Sequence, residues 1–144
     1  MSGESYRENS QAVQAHLAIS QSVIQRMAAN SASCKAWCIA MVSAILVIVA
    51  DKGKPQYTMF ALIPTALFFA LDTYYLSLER MFRKSYNDFI GKLHHGRIVS
   101  SDLYAMEPHG GTMLRAVPAC LASFSIWPFY GTLIVMILLA KRII

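Results

Sequence analysis

The segment that decides the fold is Tyr57–His95, which reads YTMFALIPTALFFALDTYYLSLERMFRKSYNDFIGKLHH. It begins as an apolar stretch long enough to cross a bilayer and continues into a polar, basic stretch. Within this segment no proline follows Pro64, and the first glycine that could end a helix is Gly91. Gly96 follows directly after the segment. A helix of this length measures roughly 55–60 Å, and the hydrocarbon core of a bilayer takes about 30 Å of that. The segment therefore predicts a rod that leaves the membrane and projects into water as a stalk.

One face of the predicted rod is apolar at the spacing of a coiled coil. This face, called the seam below, consists of Leu71, Tyr75, Leu78, Phe82 and Phe89. It passes from the predicted span into the stalk without changing phase, with Ser85 as its one polar position. The seam predicts either packing against another helix of the same chain or an oligomer in which copies of the rod surround a symmetry axis.

The composition is that of a membrane protein. Of the 144 residues, 56% are hydrophobic and only 15% are charged, whereas soluble domains carry about 25% charged residues. The apolar residues come in blocks, and Cys34, Cys38 and Cys120 lie in or beside those blocks, where they are expected to be small packing residues. We therefore predict an all-α membrane protein with three transmembrane helices, an N-terminal amphipathic helix and a long second helix that extends into the cytoplasm.

The chain divides into four predicted segments. Residues 1–33 form the N-terminal cytoplasmic segment, with an amphipathic helix from about Gln11 to Ala32, and residues 34–77 form a transmembrane helical hairpin. Residues 78–115 form the cytoplasmic stalk and a loop, in which a short helix runs from Ser101 to about Glu107. Residues 116–144 form the third transmembrane helix. The amphipathic helix carries one charge, Arg26, so we expect it to pack on protein; the alternative is the lipid interface.

The third span is predicted to run from about Val117 to Ala140. Pro128 lies inside it and is expected to kink the helix, because proline removes one backbone hydrogen bond. Ser125 and Thr132 are seven residues apart and would share one face of this helix. They are candidates for lining a narrow pore; the alternative is that their hydroxyls bond to carbonyls of their own helix.

Lys35 and Asp72 are predicted to lie at the same membrane height. The polar turn DKGKPQ, Asp51–Gln56, joins the two spans, and each of the two residues is about 18 positions from its midpoint, so helices of equal rise bring them level. A charge pair that neutralises both is one interpretation. The other is that Asp72 lines a water-filled path, since an ionisable residue inside a span is a functional candidate.

The distribution of basic residues predicts the orientation. Nine of the 13 lie on one side of the predicted spans: Arg7, Arg26, Lys35, Arg80, Arg83, Lys84, Lys92, Arg97 and Arg115. Four lie on the other side: Lys52, Lys54, Lys141 and Arg142. Because positive loops stay inside, this pattern predicts an N-terminus in the cytoplasm and a C-terminus on the opposite side of the membrane.

No catalytic motif stands out, and we expect neither an enzyme, a metal site nor a cofactor. The predicted stalk instead combines aromatic residues with a basic set, namely Arg80, Arg83, Lys84, Lys92 and Arg97. Basic and aromatic groups together suit a nucleotide or a short single-stranded nucleic acid. Contacts with lipid phosphates, or ordinary ion pairs along the helix such as Glu79–Arg83, are the alternative interpretations.

Three stretches resemble a group of small bacterial inner-membrane proteins with three spans: HLAISQSVIQRMAANSASCKAW (16–37), LDTYYLSLERMFRKSYNDF (71–89) and FSIWPFYGTLIVMILL (124–139). Among them, the chain is similar to the membrane effectors of Hailong-type anti-phage defence. That resemblance implies an oligomeric ion channel gated by an oligodeoxyadenylate or another nucleotide from a partner nucleotidyltransferase, whose opening would depolarise an infected cell. The alternative hypothesis is a non-conducting membrane anchor or assembly subunit for a partner protein.

Overall fold

The computed structural model of the chain describes residues 10–105, 117–118, 120–121 and 123–144. Within these ranges three long α-helices form the fold: α1 from Gln11 to Lys52, α2 from Leu62 to His94 and α3 from Trp127 to Ile143. Two short 3-10 helices, Pro55–Ala61 and Ser100–Asp102, lie in the connections. Strands are absent from the described ranges, so the prediction of an all-helical chain is confirmed.

Helix α1 is continuous over 42 residues, which corresponds to about 63 Å. The hydroxyl of Ser10 accepts the N–H of Val13 at 3.3 Å and caps the start of the helix. Gly53 ends it with a φ of 57°, a left-handed conformation that glycine adopts without strain. The predicted division at residue 33 does not interrupt the helix, because no proline or glycine lies between Gln11 and Lys52. The amphipathic segment and the first predicted span are therefore two halves of one rod.

Helix α2 begins five residues later than predicted and then runs unbroken. Tyr57 lies in the 3-10 helix, and α2 continues from Leu62 through Leu78 to His94. The helix passes Gly91 and ends at His94, just before Gly96, where φ is 63° and the N–H donates to the Leu93 carbonyl at 3.0 Å. A glycine inside a helix only weakens it, whereas a left-handed glycine turns the chain away.

Helices α1 and α2 form an antiparallel hairpin. Gln21 contacts Tyr86 and Ser31 contacts Asp72, and in each pair the two residues are about equally far from Gly53 along the chain. The polar half of the hairpin comprises residues 11–30 and 79–94. The apolar half holds the turn and the two predicted spans.

The predicted third span differs most from the structure. Val117, Pro118, Cys120 and Leu121 are helical, Ser123 is not, residues 124–126 form a turn, and α3 begins at Trp127. Pro128 therefore lies in the first turn of α3 and does not kink it, because the first N–H groups of a helix have no partner within it. With 17 residues, α3 measures about 26 Å, a little less than the thickness of a hydrocarbon core.

The connection after α2 also differs from the prediction. In place of a short helix from Ser101, the 3-10 helix Ser100–Asp102 forms, and the Asp102 carboxylate accepts the N–H of Val99 at 3.1 Å. Three residues that the predictions named lie outside the described ones: Arg7, Glu107 and Arg115.

Two helical stretches, Gln11–Lys52 and Pro55–His94, are long and apolar enough to cross a membrane. Only 22% and 28% of the residues in their most apolar windows are buried, whereas the core helix of a soluble protein is mostly buried. Exposed large apolar side chains concentrate in the apolar half and in α3, and they include Trp37, Val47, Ile63, Leu67, Trp127, Val135 and Leu139. This surface is suited to lipid and not to water.

The described part of the chain buries two separate apolar clusters. One joins α1, the first 3-10 helix and α3 in the apolar half: Cys38, Val42, Ala61, Ile126, Tyr130, Leu133 and Ile137. The other lies at the end of the polar half, where Val13 of α1 meets Phe89 and Leu93 of α2 and Ile98 of the following loop. The hairpin is therefore fastened at both ends by apolar contacts.

Candidate functional site

A charged cluster lies between α1 and α2 where the apolar half begins. The ammonium of Lys35 is 2.6 Å from Oδ2 of Asp72, and the Asp72 side chain is fully buried. The hydroxyl of Ser31 donates to Oδ1 of Asp72, and Lys35 Nζ also donates to the Ser31 oxygen at 3.3 Å. The structure thus brings together the two residues of the predicted pair and adds Ser31, one turn before Lys35.

The partners of Asp72 make its burial tolerable. A lone buried carboxylate costs several kcal/mol, and a close ammonium with a second hydrogen bond offsets much of that cost. Lys35 keeps 20% of its side chain exposed, so its ammonium stays near the surface of the hairpin. The Tyr130 hydroxyl of α3, which donates to the Phe68 carbonyl at 3.1 Å, also interacts electrostatically with Asp72.

Small polar side chains continue along the buried face of α2. Thr65, Thr73 and Ser77 each donate a hydroxyl to the carbonyl four residues earlier, at 2.7–2.8 Å. Their hydroxyls are therefore satisfied within α2, and their small size lets α1 approach closely. Thr58 differs, because its buried Oγ1 has no hydrogen-bond partner among the described residues.

Three residues of the predicted basic set are held by polar partners. Arg83 donates to Glu79 at 2.8 Å, Lys92 to Asp102 at 2.6 Å, and Arg80 to Ser123 at 2.8 Å. Lys84 and Arg97 are exposed. Three of the five cations are therefore already paired within the subunit, and the other two, Lys84 and Arg97, face solvent.

Two clefts open between α1 and α2 in the polar half, and both are lined by Tyr86 and Asn87. The first cleft has a volume of about 440 Å³, and its lining also includes His16, Asp88, Lys92 and Asp102. The second, about 360 Å³, is lined in addition by Gln21, Ile24, Gln25 and Arg83. Of the predicted basic set, Arg83 and Lys92 line these clefts.

His16 fastens the loop after α2 onto α1. It is only 4% exposed, its ring centroid lies 4.1 Å from that of Phe89, and its Nδ1 accepts the N–H of Tyr104 at 2.9 Å. Burial lowers the pKa of His16, and the nearby Asp102 raises it by a smaller amount. An Nδ1 atom that accepts a hydrogen bond carries no proton, so the neutral ring is the form that fits this contact.

The seam is only partly available to another molecule. Phe89 is buried against the end of α1, whereas Leu71 is 38% exposed. Tyr75, Leu78 and Phe82 are half-buried. Within the subunit α1 therefore covers the far end of the seam and leaves its membrane end accessible.

The structure separates the two candidate pore residues. Ser125 lies in the turn before α3, and Thr132 lies within α3, so the two do not share a helix face. The Thr132 hydroxyl donates to the Pro128 carbonyl at 2.6 Å, which is the alternative interpretation given for it above.

Among the described residues, no group of three or more His, Cys, Asp or Glu side chains is arranged to hold a metal ion. Cys34, Cys38 and Cys120 are free and buried. Ser31, Gln21 and Asn87 were not among the predicted site residues. Ser31 could have been found from its spacing of four residues to Lys35, which places both on one face of a helix. Gln21 and Asn87 could not, because their positions at the cleft depend on how α1 packs on α2.

No protein-family model matches the chain, and neither the curated proteins nor the solved structures contain a match.

Proposed function

We propose that the chain is the subunit of a homo-oligomeric ion channel in the bacterial inner membrane, gated by a nucleotide or oligonucleotide that binds the polar half of the hairpin. In this proposal the chain spans the membrane three times, with its N-terminus in the cytoplasm and its C-terminus in the periplasm. The channel acts as a membrane effector of anti-phage defence.

The buried cluster of Lys35, Asp72 and Ser31 is the observation that carries the proposal. Ionisable groups at membrane depth are costly and are retained mainly where they serve ion pathways or pairing. A closed state is expected to hide such a carboxylate, as here, where Asp72 is fully buried. Opening would have to part Lys35 from Asp72 and expose the carboxylate to water.

Several copies are required by this proposal, because two long helices and one short helix cannot enclose a pore. The half-buried part of the seam, together with Leu71, offers an apolar edge on which a second copy can pack. A signal that holds the polar halves in one arrangement would then shift the population of open channels, provided it binds the two states with different affinity.

Reconstitution into liposomes tests the proposal. Purified protein is incorporated into vesicles loaded with potassium, and efflux is followed while a short oligodeoxyadenylate, cyclic nucleotides or inorganic phosphate are added. We expect a basal or gated efflux that changes with the oligodeoxyadenylate and not with phosphate. Efflux that stays at the level of empty vesicles under all these conditions contradicts the channel.

A non-conducting membrane anchor is the second candidate, and the mutual neutralisation of Lys35 and Asp72 favours it, because a purely structural pair needs no pathway. In that case the exposed membrane end of the seam binds a different protein. Mass measurement in detergent separates the two candidates, since the channel predicts an oligomer of the chain alone and the anchor predicts a monomer until its partner is added.

A further inference from the structure

The Lys35 ammonium lies among oxygen atoms that the helices bring together. It is 2.6 Å from Oδ2 of Asp72 and 3.3 Å from the hydroxyl oxygen of Ser31. Ser31 belongs to α1 and Asp72 to α2, and the Tyr130 hydroxyl of α3 also interacts with Asp72. Three helices therefore present a carboxylate and hydroxyl groups to one monovalent cation, which in this structure is a side chain.

Of the two charges, the carboxylate is fixed and the ammonium is movable. Asp72 has a short side chain that is fully buried, whereas Lys35 keeps 20% of its side chain exposed and has a flexible four-carbon stem. Such a stem lets an ammonium reach water or lipid phosphates while its helix stays in place. Oδ2 of Asp72 accepts no hydrogen bond from the described residues, so withdrawal of the ammonium leaves that oxygen bare.

We propose that Asp72 and Ser31 form a binding site for a free monovalent metal cation such as K⁺, and that Lys35 is a tethered cation occupying this site in the closed subunit. A buried carboxylate without a counter-ion is strongly unfavourable. A cation from the solution that enters as the ammonium leaves restores the pairing. The exchange needs no other charged group, because one positive charge replaces another.

The groups at the site favour a monovalent cation over other ions. Calcium takes six to eight oxygen ligands, and sites for divalent cations usually contain several carboxylates or carbonyls. Here one carboxylate is present, and the described residues contain no group of three or more acidic, histidine or cysteine side chains. An anion would meet the buried negative charge. Water supplies the remaining ligands of the cation, since the exposed part of Lys35 connects the site with the surface.

Combined with the channel proposed above, on which this step rests, the site predicts selectivity for cations. Each copy in an oligomer contributes one Asp72, and rings of carboxylates are what cation channels use to exclude anions. Lys35 then blocks the closed state and withdraws on opening. The binding site itself does not require conduction, so it is tested separately from the channel.

Thermal denaturation of the full-length Lys35→Met variant in detergent tests the site, with potassium chloride compared with choline chloride at equal concentration and pH. Choline provides the same charge but is too large for a site that holds an ammonium. A Kd about tenfold below the salt concentration raises the Tm by about 3–5 °C in potassium. Lys35→Gln, which keeps a hydrogen-bond donor, takes its place if Lys35→Met does not fold.

Two variants serve as controls for that shift. Lys35→Met with Asp72→Asn removes both charges, and potassium should have no more effect on it than choline. Lys52→Met removes the cation from an exposed pair with Asp51, and it should respond to the two salts as the unmodified protein does. Equal Tm values of Lys35→Met in both salts overturn the site. Stabilisation by acid that is equal in both salts also overturns it, because the carboxylate then binds a proton instead.

Currents through the unmodified protein in planar bilayers test the predicted selectivity. Under a potassium chloride gradient we expect K⁺ to be about tenfold more permeant than chloride. Lys35→Met with Asp72→Asn should bring the ratio close to one. Chloride that permeates the unmodified protein as readily as K⁺ overturns the role of Asp72 in selectivity and leaves the channel intact. Absence of any current contradicts the channel, and the Tm values then decide the site alone.

Discussion

Asp72 is fully buried between α1 and α2, and its environment explains how the hairpin accommodates a charge. Lys35 provides the opposite charge and Ser31 a hydrogen bond. Equal helix rise on both sides of the turn at Gly53 is enough to place Lys35 level with Asp72 from the sequence alone. Ser31 could not be chosen in that way, because serine is common on helix surfaces and its role depends on the rotation of α1 against α2.

Removing one member of this pair is predicted to destabilise the protein strongly. Lys35→Met leaves the fully buried Asp72 carboxylate without its counter-ion and should cost about 3–5 kcal/mol, measured by thermal denaturation in detergent. The double change Lys35→Met with Asp72→Leu should recover most of that loss, since two apolar groups need no pairing.

Asp51→Asn is the control for this prediction, because Asp51 and Lys52 form a pair with both side chains exposed, 3.9 Å apart. Its effect should lie within about 0.5 kcal/mol. The reversed pair, Lys35→Asp with Asp72→Lys, should be more stable than either single change. A reversed pair that is as unstable as the single variants would show that the pairing does not matter.

The contact of His16 with Tyr104 is predicted to loosen in mild acid. Burial lowers the folded-state pKa of His16 from 6.5, so the unfolded chain binds more protons there than the folded one. The stability that neutral His16 contributes is therefore complete above about pH 6.5 and declines as the pH falls through the folded pKa below that value. Hydrogen exchange of the Tyr104 amide should show this loss of protection between pH 7.5 and 5, after correction for the intrinsic pH dependence of amide exchange.

Other charges near His16 do not account for that change. Asp88 and Lys92 line the same cleft, and Asp102 faces it from the loop. The hydrogen bond from Lys92 is the main cause that lowers the pKa of Asp102 below 3.8, so this carboxylate stays ionised throughout the window. His16→Phe should abolish the pH dependence, whereas the exposed His95→Gln should leave it unchanged. A dependence that survives in His16→Phe would contradict the assignment.

At the scale of the helices, the sequence predicted that a helix is present more reliably than it predicted the residues at which the helix begins and ends. The long apolar runs, and the absence of proline from α1 and from α2 after Pro64, indicated helices on both sides of the turn, but α2 begins at Leu62 because Pro55 starts a 3-10 helix first. Pro128 was expected inside a helix and lies at the start of one. Proline suits a first helical turn and disrupts an interior, so the residue type alone does not say which applies.

Gly53 is predicted to be the glycine on which the hairpin turn depends. Its φ is 57°, a conformation that costs a residue with a side chain about 1–2 kcal/mol. Gly53→Ala should therefore lower the stability by about 1 kcal/mol in a denaturation experiment.

Gly91→Ala is the matched control, because Gly91 lies inside α2 and a Cβ atom there would meet nothing within 4 Å. It should raise the stability by about 0.5–1 kcal/mol, since alanine is the better helix former. Equal losses in the two variants would mean that the backbone angle of Gly53 is not what the turn requires.

At the scale of the whole molecule, large apolar side chains cover much of the outer surface, and small polar side chains are buried beside the apolar clusters. Large apolar side chains such as Trp37, Ile63 and Trp127 face outward, each more than 60% exposed. Serine, threonine and aspartate lie between the helices. This arrangement is expected where lipid replaces water as the solvent, because buried polar groups then hold helices together.

Reporter fusions are predicted to reveal how many times the chain crosses the membrane. A reporter active only in the cytoplasm should work at the N-terminus and stay inactive at the C-terminus if α3 completes a third span. The same reporter inserted at Gly53 should also be inactive. Activity at both termini would mean that only the hairpin spans and that α3, about 26 Å long, does not cross.

The sequence by itself determined the helical class, the two long apolar stretches, the polar turn between them and the equal depth of Lys35 and Asp72, because each follows from spacing along one chain or from the rise of a helix. Only the tertiary structure decided that α1 runs unbroken, that Ser31 completes the buried cluster and that Gln21, Tyr86 and Arg83 meet at one cleft. These features depend on the rotation of each helix about its axis. That rotation is set by the packing of both faces together, and no single stretch of sequence contains it.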